Sequence, residues 1–320
     1  MNKIGILTSG GDSPGMNAAI RAVVRAGCEK KMTVYGIKHG YNGLMEDTME
    51  EMEIRSVCNI ITKGGTILYS ARSERFKTEE GINAAVEVCK KRGIEGLVVI
   101  GGDGSFRGAR DLSARGIPCV AIPGTIDNDI GCSDYTIGYD TTLNTVVQMV
   151  DRIRDTTESH DRCAVVEVMG RGAGYIALNS GIACGATSIL IPEIPYDFNR
   201  DVIERMKRTQ KTGKSHFVII VSEAIGGVEE MAKRIQKETG VESRATVLGH
   251  VLRGGSPTEK DRTIASLMGY KAVELLENGK SNRVVAMKKD VIVDYDIYDA
   301  LNMKKEIDLE LYKIAMEISI

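Results

Sequence analysis

An aspartate stands among three glycines in "GGDGS" (101–105), directly after the apolar run "GLVVI" (96–100). A turn needs one glycine. Gly101, Gly102 and Gly104 around one acid mark a backbone that a bulky charged group approaches closely. Asp103 can hold Mg²⁺, which takes carboxylate, water and phosphate oxygens. Ser105 can cap a following helix or donate to a phosphate. The next apolar run, "PCVAI" (118–122), leads into "PGTIDNDIG" (123–131), with Asp127 and Asp129 two apart and Thr125 and Asn128 beside them. Acids two apart in an extended segment share a side, and one can act as base while another group binds metal. The structural alternative is Asx-turn chemistry.

Other loops carry the same residue types. In "TSGGDSPGMNAAIR" (8–21), Gly10, Gly11 and Gly15 precede a helical pattern, an arrangement in which backbone N–H groups and the helix dipole cradle phosphate. "KGGTILYSARSERF" (63–76) adds Arg72 and Arg75, which are either phosphate cations or solvated surface residues. "VEVMGRGAGYIA" (166–177) places Arg171 inside a glycine turn, within reach of a transferring phosphoryl. "SRATVLGHVLRGGSP" (243–257) brings Arg244, His250 and Arg253 next to glycines, a set suited to a second anionic ligand such as a sugar phosphate. Three loops for a polyphosphate and Mg²⁺, two for another phosphorylated ligand and one aspartate to accept a hydroxyl proton point to phosphoryl transfer from a nucleotide to an alcohol. "TGKS" (212–215) and "NGKS" (278–281) are not phosphate-binding GxxxxGK[ST] loops. Each lacks the first glycine and leads into a strand.

These loops require strands to end where they begin. Strands are expected at 3–8, 33–38, 96–100, 118–122, 163–168, 187–191, 216–221 and 283–287, and several lack alternation, as parallel strands covered on both faces do. Helical patterns lie near 15–30, 79–92, 138–158, 199–211, 228–239 and 257–278. The β-α-β order implies a doubly wound α/β fold whose ligands sit beyond the carboxyl ends of the strands. Length suggests two lobes, with a boundary near 138.

Composition narrows the function classes. A formal net charge of -2 gives no general attraction to nucleic acid or anionic membrane, and the absence of Trp argues against stacking platforms for single strands. The seven cysteines form no CxxC pair and the four histidines no metal-ligand spacing. They read as small buried residues in a reducing cytosol. No apolar run approaches the length of a membrane span, and "MNKIGILTSGGD" has no signal-peptide core. A cytoplasmic protein is expected.

The segments "GILTSGGDSPGMNAAIR", "GGTILYSAR", "VVIGGDGS", "PGTIDNDI", "VEVMGR" and "ATVLGHVLRGGSP", in this order, resemble the bacterial ATP-dependent 6-phosphofructokinases along essentially the whole chain. The resemblance implies two Rossmann-like lobes with mostly parallel sheets and the active site in the cleft between them. A larger ATP- and Mg²⁺-binding lobe would span 1–137 with a return over about 252–306, and a smaller sugar-phosphate lobe 138–251. It implies transfer of the ATP γ-phosphoryl to the 1-hydroxyl of fructose 6-phosphate. Gly11, Arg72, Ser73, Gly102, Asp103, Gly104 and Ser105 would bind ATP, with Asp103 on Mg²⁺. Asp127 would accept the proton, and Thr125 and Arg171 would stabilise the transferring group. Arg162, Met169, Gly170, Arg171, Glu223, Arg244, His250 and Arg253 would hold the sugar phosphate, with Arg162 and Arg244 lent by a neighbouring subunit of a homotetramer. An effector site for ADP as activator or phosphoenolpyruvate as inhibitor would use Arg21, Arg25, Arg154, Gly185, Lys211, Lys214, Ser215 and His216. The usual Glu of that site aligns with Thr187, and a further Arg is displaced by one place to Arg55. Pyrophosphate-dependent relatives typically carry Asp where this chain has Gly104 and Lys where it has Gly124, so both positions favour ATP. A non-catalytic nucleotide or sugar-phosphate sensor on the same fold is the alternative of a different class, and the intact Asp103, Asp127 and Arg171 oppose it.

Overall fold

The computed structural model describes residues 1–319. Its strands are β1 (Lys3–Ser9), β2 (Thr33–Ile37), β3 (Met49–Met52), β4 (Gly96–Gly101), β5 (Cys119–Pro123), β6 (Cys163–Val168), β7 (Ser188–Leu190), β8 (Phe217–Ser222), β9 (Ser243–Val247), β10 (Arg283–Lys288) and β11 (Val291–Asp296). The helices are α1 (Met16–Glu29), α2 (Gly40–Met45), α3 (Glu79–Arg92), α4 (Asp103–Ser113), α5 (Tyr139–Ser159), α6 (Tyr175–Ala183), α7 (Arg205–Gln210), α8 (Val228–Thr239), α9 (Glu259–Glu277), α10 (Ile297–Asn302) and α11 (Leu309–Ile318). A π-helical turn, Asn199–Glu204, runs into α7.

The chain forms two compact units. The first holds Met1–Ile126, Ile130–Thr141 and Arg253–Lys305; the second holds Asp127–Asp129, Thr142–Leu252 and the residues from Glu306 onward. Relative to the expected boundaries, residues 138–141 belong with the first unit and Leu252 and Glu306 with the second. The cause at 138–141 is a set of hydrogen bonds from Gly138 and Thr141 to the carboxylate of Asp261 in the first unit. Asp127–Asp129 is a short excursion of the chain into the second unit.

The first unit is built on a sheet of order β11-β10-β5-β4-β1-β2-β3. The central strands β1, β4 and β5 are parallel and apolar on both faces, because helices cover each side. Leu7, Ile37, Leu97, Val99, Phe106 and Leu112 form part of one core cluster. Against another face of the unit α1 packs on α9 so closely that a Cβ at Gly269 would lie 2.7 Å from the carbonyl oxygen of Ala19. The register sets Ser9 opposite Gly101 and Gly101 opposite Pro123, so the loops after β1, β4 and β5 leave the sheet side by side.

The second unit is a sheet of order β7-β8-β6-β9, all parallel. Val165, Phe217, Ile219, Val221, Met206 and Ile235 belong to its core cluster. Val168 lies opposite Ser222 and Glu167 opposite Val247, so the loops after β6, β8 and β9 also emerge together.

The edge strands β3, β9 and β11 and the helices α2, α4, α6, α10 and α11 are additions to the expected elements. β3 and β11 are antiparallel additions at the two edges of the first sheet.

Candidate active site

In the first unit the loop after β1 is fastened to the segment 63–71. The hydroxyl of Ser70 donates to the Gly10 carbonyl at 2.7 Å, and the Gly10 N–H to the Ala71 carbonyl at 3.3 Å. Thr8 Oγ1 bonds Thr66 Oγ1 at 2.9 Å and donates to the Tyr69 carbonyl at 2.8 Å. Asn17 donates to the carbonyls of Lys63 and Gly64 and accepts from the Ile67 N–H. Arg72 and Ser73 follow directly on this strap. Beside these segments lies an open polar pocket of about 430 Å³ lined by Gly10, Gly11, Asp12, His39, Thr66, Tyr69 and Ser70. The rings of His39 and Tyr69 stack beside it at 4.9 Å.

The "GGDGS" stretch is not a free loop but the start of α4. Gly102 is the N-cap and Asp103 the first helical residue. The expectation that Ser105 caps this helix is corrected: its hydroxyl is buried and donates to the Ser9 carbonyl at 3.0 Å, while its own carbonyl accepts from the Tyr41 hydroxyl at 2.6 Å. Ser105 thereby ties the loop after β4 to the end of β1. Asp103 sits where the helix dipole favours an anion and pairs with Arg107 one turn on, at 2.9 Å. Both side chains are about half exposed. A Cβ at Gly104 would meet nothing within 4 Å.

Among the described residues no group of three or more His, Cys, Asp or Glu could hold a metal ion. Asp103, half exposed beside the open space at Gly104, is a carboxylate of the kind that phosphate-bound Mg²⁺ takes alongside water.

After β5, Thr125 is buried and its carbonyl accepts from the Thr136 hydroxyl at 2.6 Å. Asp127 and Asn128 are buried, and Asn128 adopts φ 52°. That left-handed residue breaks the extended run, so Asp127 and Asp129 do not share one side as an extended segment would place them.

Arg253, expected with the sugar-phosphate residues, belongs to the first unit. Its guanidinium donates to the Asp12 carbonyl at 3.0 Å, and a Cβ at Gly11 would lie 2.8 Å from one of its nitrogens. A side chain at position 11 would therefore push this guanidinium aside, and the loop after β1 carries a cation.

The second unit holds the rest of this set at two ends of its sheet: Met169, Gly170, Arg171, Glu223 and His250 follow the carboxyl ends of β6, β8 and β9, whereas Arg162 and Arg244 lie at the opposite end, just before β6 and near the start of β9. Glu223 Oε1 accepts the N–H groups of Gly170 at 2.9 Å and Arg171 at 2.5 Å. These bonds hold Arg171 at φ 59° with its side chain exposed. Arg162 and Arg244 meet on one carboxylate that sequence reasoning passed over, Glu242. Arg244 donates to it at 2.6 Å; Arg162 Nε lies 3.0 Å away as an ion pair without hydrogen-bond alignment. The two arginines, Arg162 first, hold the Glu242 carboxyl below the usual range. Its spacing of two residues from Arg244 was the available signal. Glu167, near Glu223, is pushed up by burial and by that second carboxylate.

The expected effector residues divide between the units. Arg21 and Arg25 lie on α1 in the first; Arg154, Gly185, Lys211, Lys214, Ser215 and His216 lie in the second. There, Arg154 donates to the Cys184 carbonyl. Burial, then the cations Arg154 and Arg205, push the Lys214 ammonium down. Thr187 is fully buried, its hydroxyl lacks a hydrogen-bond partner, and its carbonyl accepts from Arg205 at 2.5 Å.

Two mostly parallel sheets in α/β units, with glycine loops at the strand ends, an exposed acid at a helix start and two arginines paired on one carboxylate, are the architecture of a protein that handles phosphorylated ligands. The phosphofructokinase family profile matches residues 3–276, and the chain belongs to that family. It is 55% identical to the ATP-dependent 6-phosphofructokinase of Brevibacillus brevis and 54% identical to that of Clostridium tetani, each match covering 100% of both chains. Phosphofructokinase from Saccharomyces cerevisiae superposes with a TM-score of 0.90 at 32% identity; the match covers this whole chain and 48% of the yeast chain. A pyrophosphate-dependent phosphofructokinase from Marinobacter aquaeolei shares the fold, with a TM-score of 0.87 at 21% identity.

Proposed function

We propose that this enzyme transfers the γ-phosphoryl of ATP to the 1-hydroxyl of fructose 6-phosphate, giving fructose 1,6-bisphosphate and ADP. The loops after β1 and β4 take the nucleotide. Mg²⁺, held by Asp103 and the phosphates, would neutralise charge on the polyphosphate. In a loose transition state charge spreads over the transferring oxygens, so fixed donors and cations supply most of the catalysis. Thr125 and Arg171 fill that role, and Asp127 accepts the hydroxyl proton. The residues of the second unit around Glu223 and His250 orient the sugar, and Arg253 adds a cation. Arg162 and Arg244, paired on Glu242, serve the sugar phosphate of a neighbouring subunit in a homotetramer. The effector residues take phosphoenolpyruvate or ADP. Among the described residues no helix is long and apolar enough to cross a membrane, and free cysteines suit a reducing cytoplasm.

The observation that carries the choice of donor is the pair Gly104 and Gly124. Gly104 opens onto free space at the start of α4, where a side chain would compete with a nucleotide. Gly124 is closed by packing: a Cβ there would lie 2.8 Å from Ile100 Cγ2 and 3.1 Å from Met16 Cε. A lysine at 124 would have to displace both. The test is steady-state turnover of fructose 6-phosphate with MgATP and with pyrophosphate. MgATP is expected to support turnover and pyrophosphate barely any; comparable kcat/KM for the two would overturn the assignment.

A further inference from the structure

We infer that Asp261 is a positioning residue for the transfer reaction, clamping the segment 135–141 that in turn holds Thr125. Asp261 lies in the first turn of α9 and is fully buried. Its oxygens accept four bonds, all from one segment. Oδ1 takes the Tyr135 hydroxyl at 2.5 Å and the Gly138 N–H at 2.7 Å; Oδ2 takes the Thr141 hydroxyl at 2.5 Å and the Thr141 N–H at 2.8 Å. Burial pushes the carboxyl up, and the four donated bonds oppose that shift. A carboxylate kept in the interior is an expensive device. The helix does not need it as a cap, because Thr258 already accepts from the Asp261 N–H.

The clamped segment runs back along the exit of β5. The Ile137 N–H donates to the Pro123 carbonyl at 2.9 Å, Gly124 bridges to Ile137, and the Thr136 hydroxyl donates to the Thr125 carbonyl. Tyr135 and Gly138, on either side of Thr136 and Ile137, are both fixed by Asp261. The loop after β1 rests on the same node. Gly15, at φ 110°, would with a Cβ lie 2.7 Å from Ile137 Cγ2 and 3.5 Å from Asp261 Cβ. Thr141 is the last residue of its stretch of the first unit. One carboxylate thus sets the backbone from which Thr125 projects and the floor under the first phosphate loop.

This inference rests on the role given to Thr125 above. The test compares Asp261→Asn, Tyr135→Phe and Thr125→Ala with the parent enzyme, at a temperature where circular dichroism shows each folded. Asn presents an amide NH₂ to the donors and breaks bonds at one oxygen. A small misplacement of a catalytic group costs up to about a hundredfold, so kcat of Asp261→Asn is expected to fall by about tenfold to a hundredfold. The KM for fructose 6-phosphate is expected to stay within roughly threefold, since all four clamp bonds go to the segment 135–141 and none to Glu223 or His250. Tyr135→Phe removes one hydroxyl from the clamp and is expected to lower kcat by roughly threefold to tenfold; it decides the matter if Asp261→Asn does not fold. A purely structural Asp261 would lower Tm and leave kcat per folded enzyme alone. Folded Asp261 and Tyr135 variants with parental kcat overturn the inference. Parental kcat in Thr125→Ala as well would overturn the role of Thr125 with it.

Discussion

Replacing Glu223 by alanine should damage the enzyme through Arg171, by an amount that the geometry sets. Arg171 holds φ 59°, a conformation that costs a non-glycine residue about 1–2 kcal/mol. The Glu223 carboxylate offsets that cost by accepting both the Gly170 and the Arg171 N–H. Hydrogen bonds to a charged group contribute about 1.5–3 kcal/mol when buried, and less here because Glu223 is partly exposed, so the pair is worth roughly 2 kcal/mol. Its loss leaves the turn held by its glycines and by the bond from the Ala173 N–H to the Gly170 carbonyl at 3.0 Å. The competent conformer then falls to about a tenth of the population or less, since each 1.4 kcal/mol is tenfold. kcat/KM for fructose 6-phosphate should drop by about tenfold to a hundredfold, the KM for MgATP changing little. Glu223→Gln keeps an acceptor oxygen and should lose only about threefold. The reasoning is exposed to a double-mutant cycle with Arg171→Gly, which removes both the guanidinium and the conformational penalty. If Glu223 acts through Arg171, Glu223→Ala costs little more in that background. Losses that add fully would show that Glu223 touches the sugar directly and that the turn survives without it.

Asp127→Ser should leave substrate binding intact and lower kcat by roughly 10²–10⁴, the usual range for a lost general base; near-normal kcat would move that role elsewhere, with Asp129 first to be tried. Phosphoenolpyruvate should shift fructose 6-phosphate saturation to higher concentration in the parent and not in Arg25→Ala or Lys214→Ala; an unshifted parent curve, or a normal response in either variant, would refute the effector site. Lys214 is pushed down by burial, Arg154 and Arg205, and an anion bound beside it raises it again. Binding therefore takes up a proton once pH exceeds the free-state value, and inhibition should weaken as pH rises through it, as saturation curves across alkaline pH will show.

What the sequence made legible was what burial on two faces imposes. β1, β4, β5, β6 and β8 are parallel strands inside their sheets, so each reads as a largely apolar run, with Glu167 near the end of β6 the one acid among them. β3 ("MEEM"), β9 ("SRATV") and β11 ("VIVDYD") sit at sheet edges where solvent admits acids and arginine, and no apolar run announces them. α4 was hidden by the residues that make it useful. Gly104 and Gly108 are poor helix formers, and Gly108 is fixed by Tyr41, whose ring a Cβ would meet at 2.6 Å. Asp261 was concealed differently. In "PTEKD" it follows the capping Thr258 by three residues, so its type and position are fully accounted for by a helix start. Its second task depends on residues more than a hundred positions away, and no local pattern reports such a partner.

The glycines after β1, β4 and β5 make the same point in terms of specificity. Gly11, Gly104 and Gly124 look alike in sequence, each close to a strand end. Their surroundings separate them. Gly11 is empty because the Arg253 guanidinium occupies the place of a side chain, so a substitution there would displace a cation before it touched a nucleotide. Gly124 is empty because Ile100 and Met16 close over it, so a lysine there requires the core beneath β4 and α1 to move. Only Gly104 faces space that no protein atom fills. An aspartate at 104 is thus sterically free in the protein and would act on the donor alone, whereas the lysine that accompanies it in pyrophosphate-dependent relatives needs a repacked neighbourhood. Changing donor in this chain is therefore not a matter of two loop residues. The first substitution can block the nucleotide by itself, but the second cannot be seated until Ile100 and Met16 have given way.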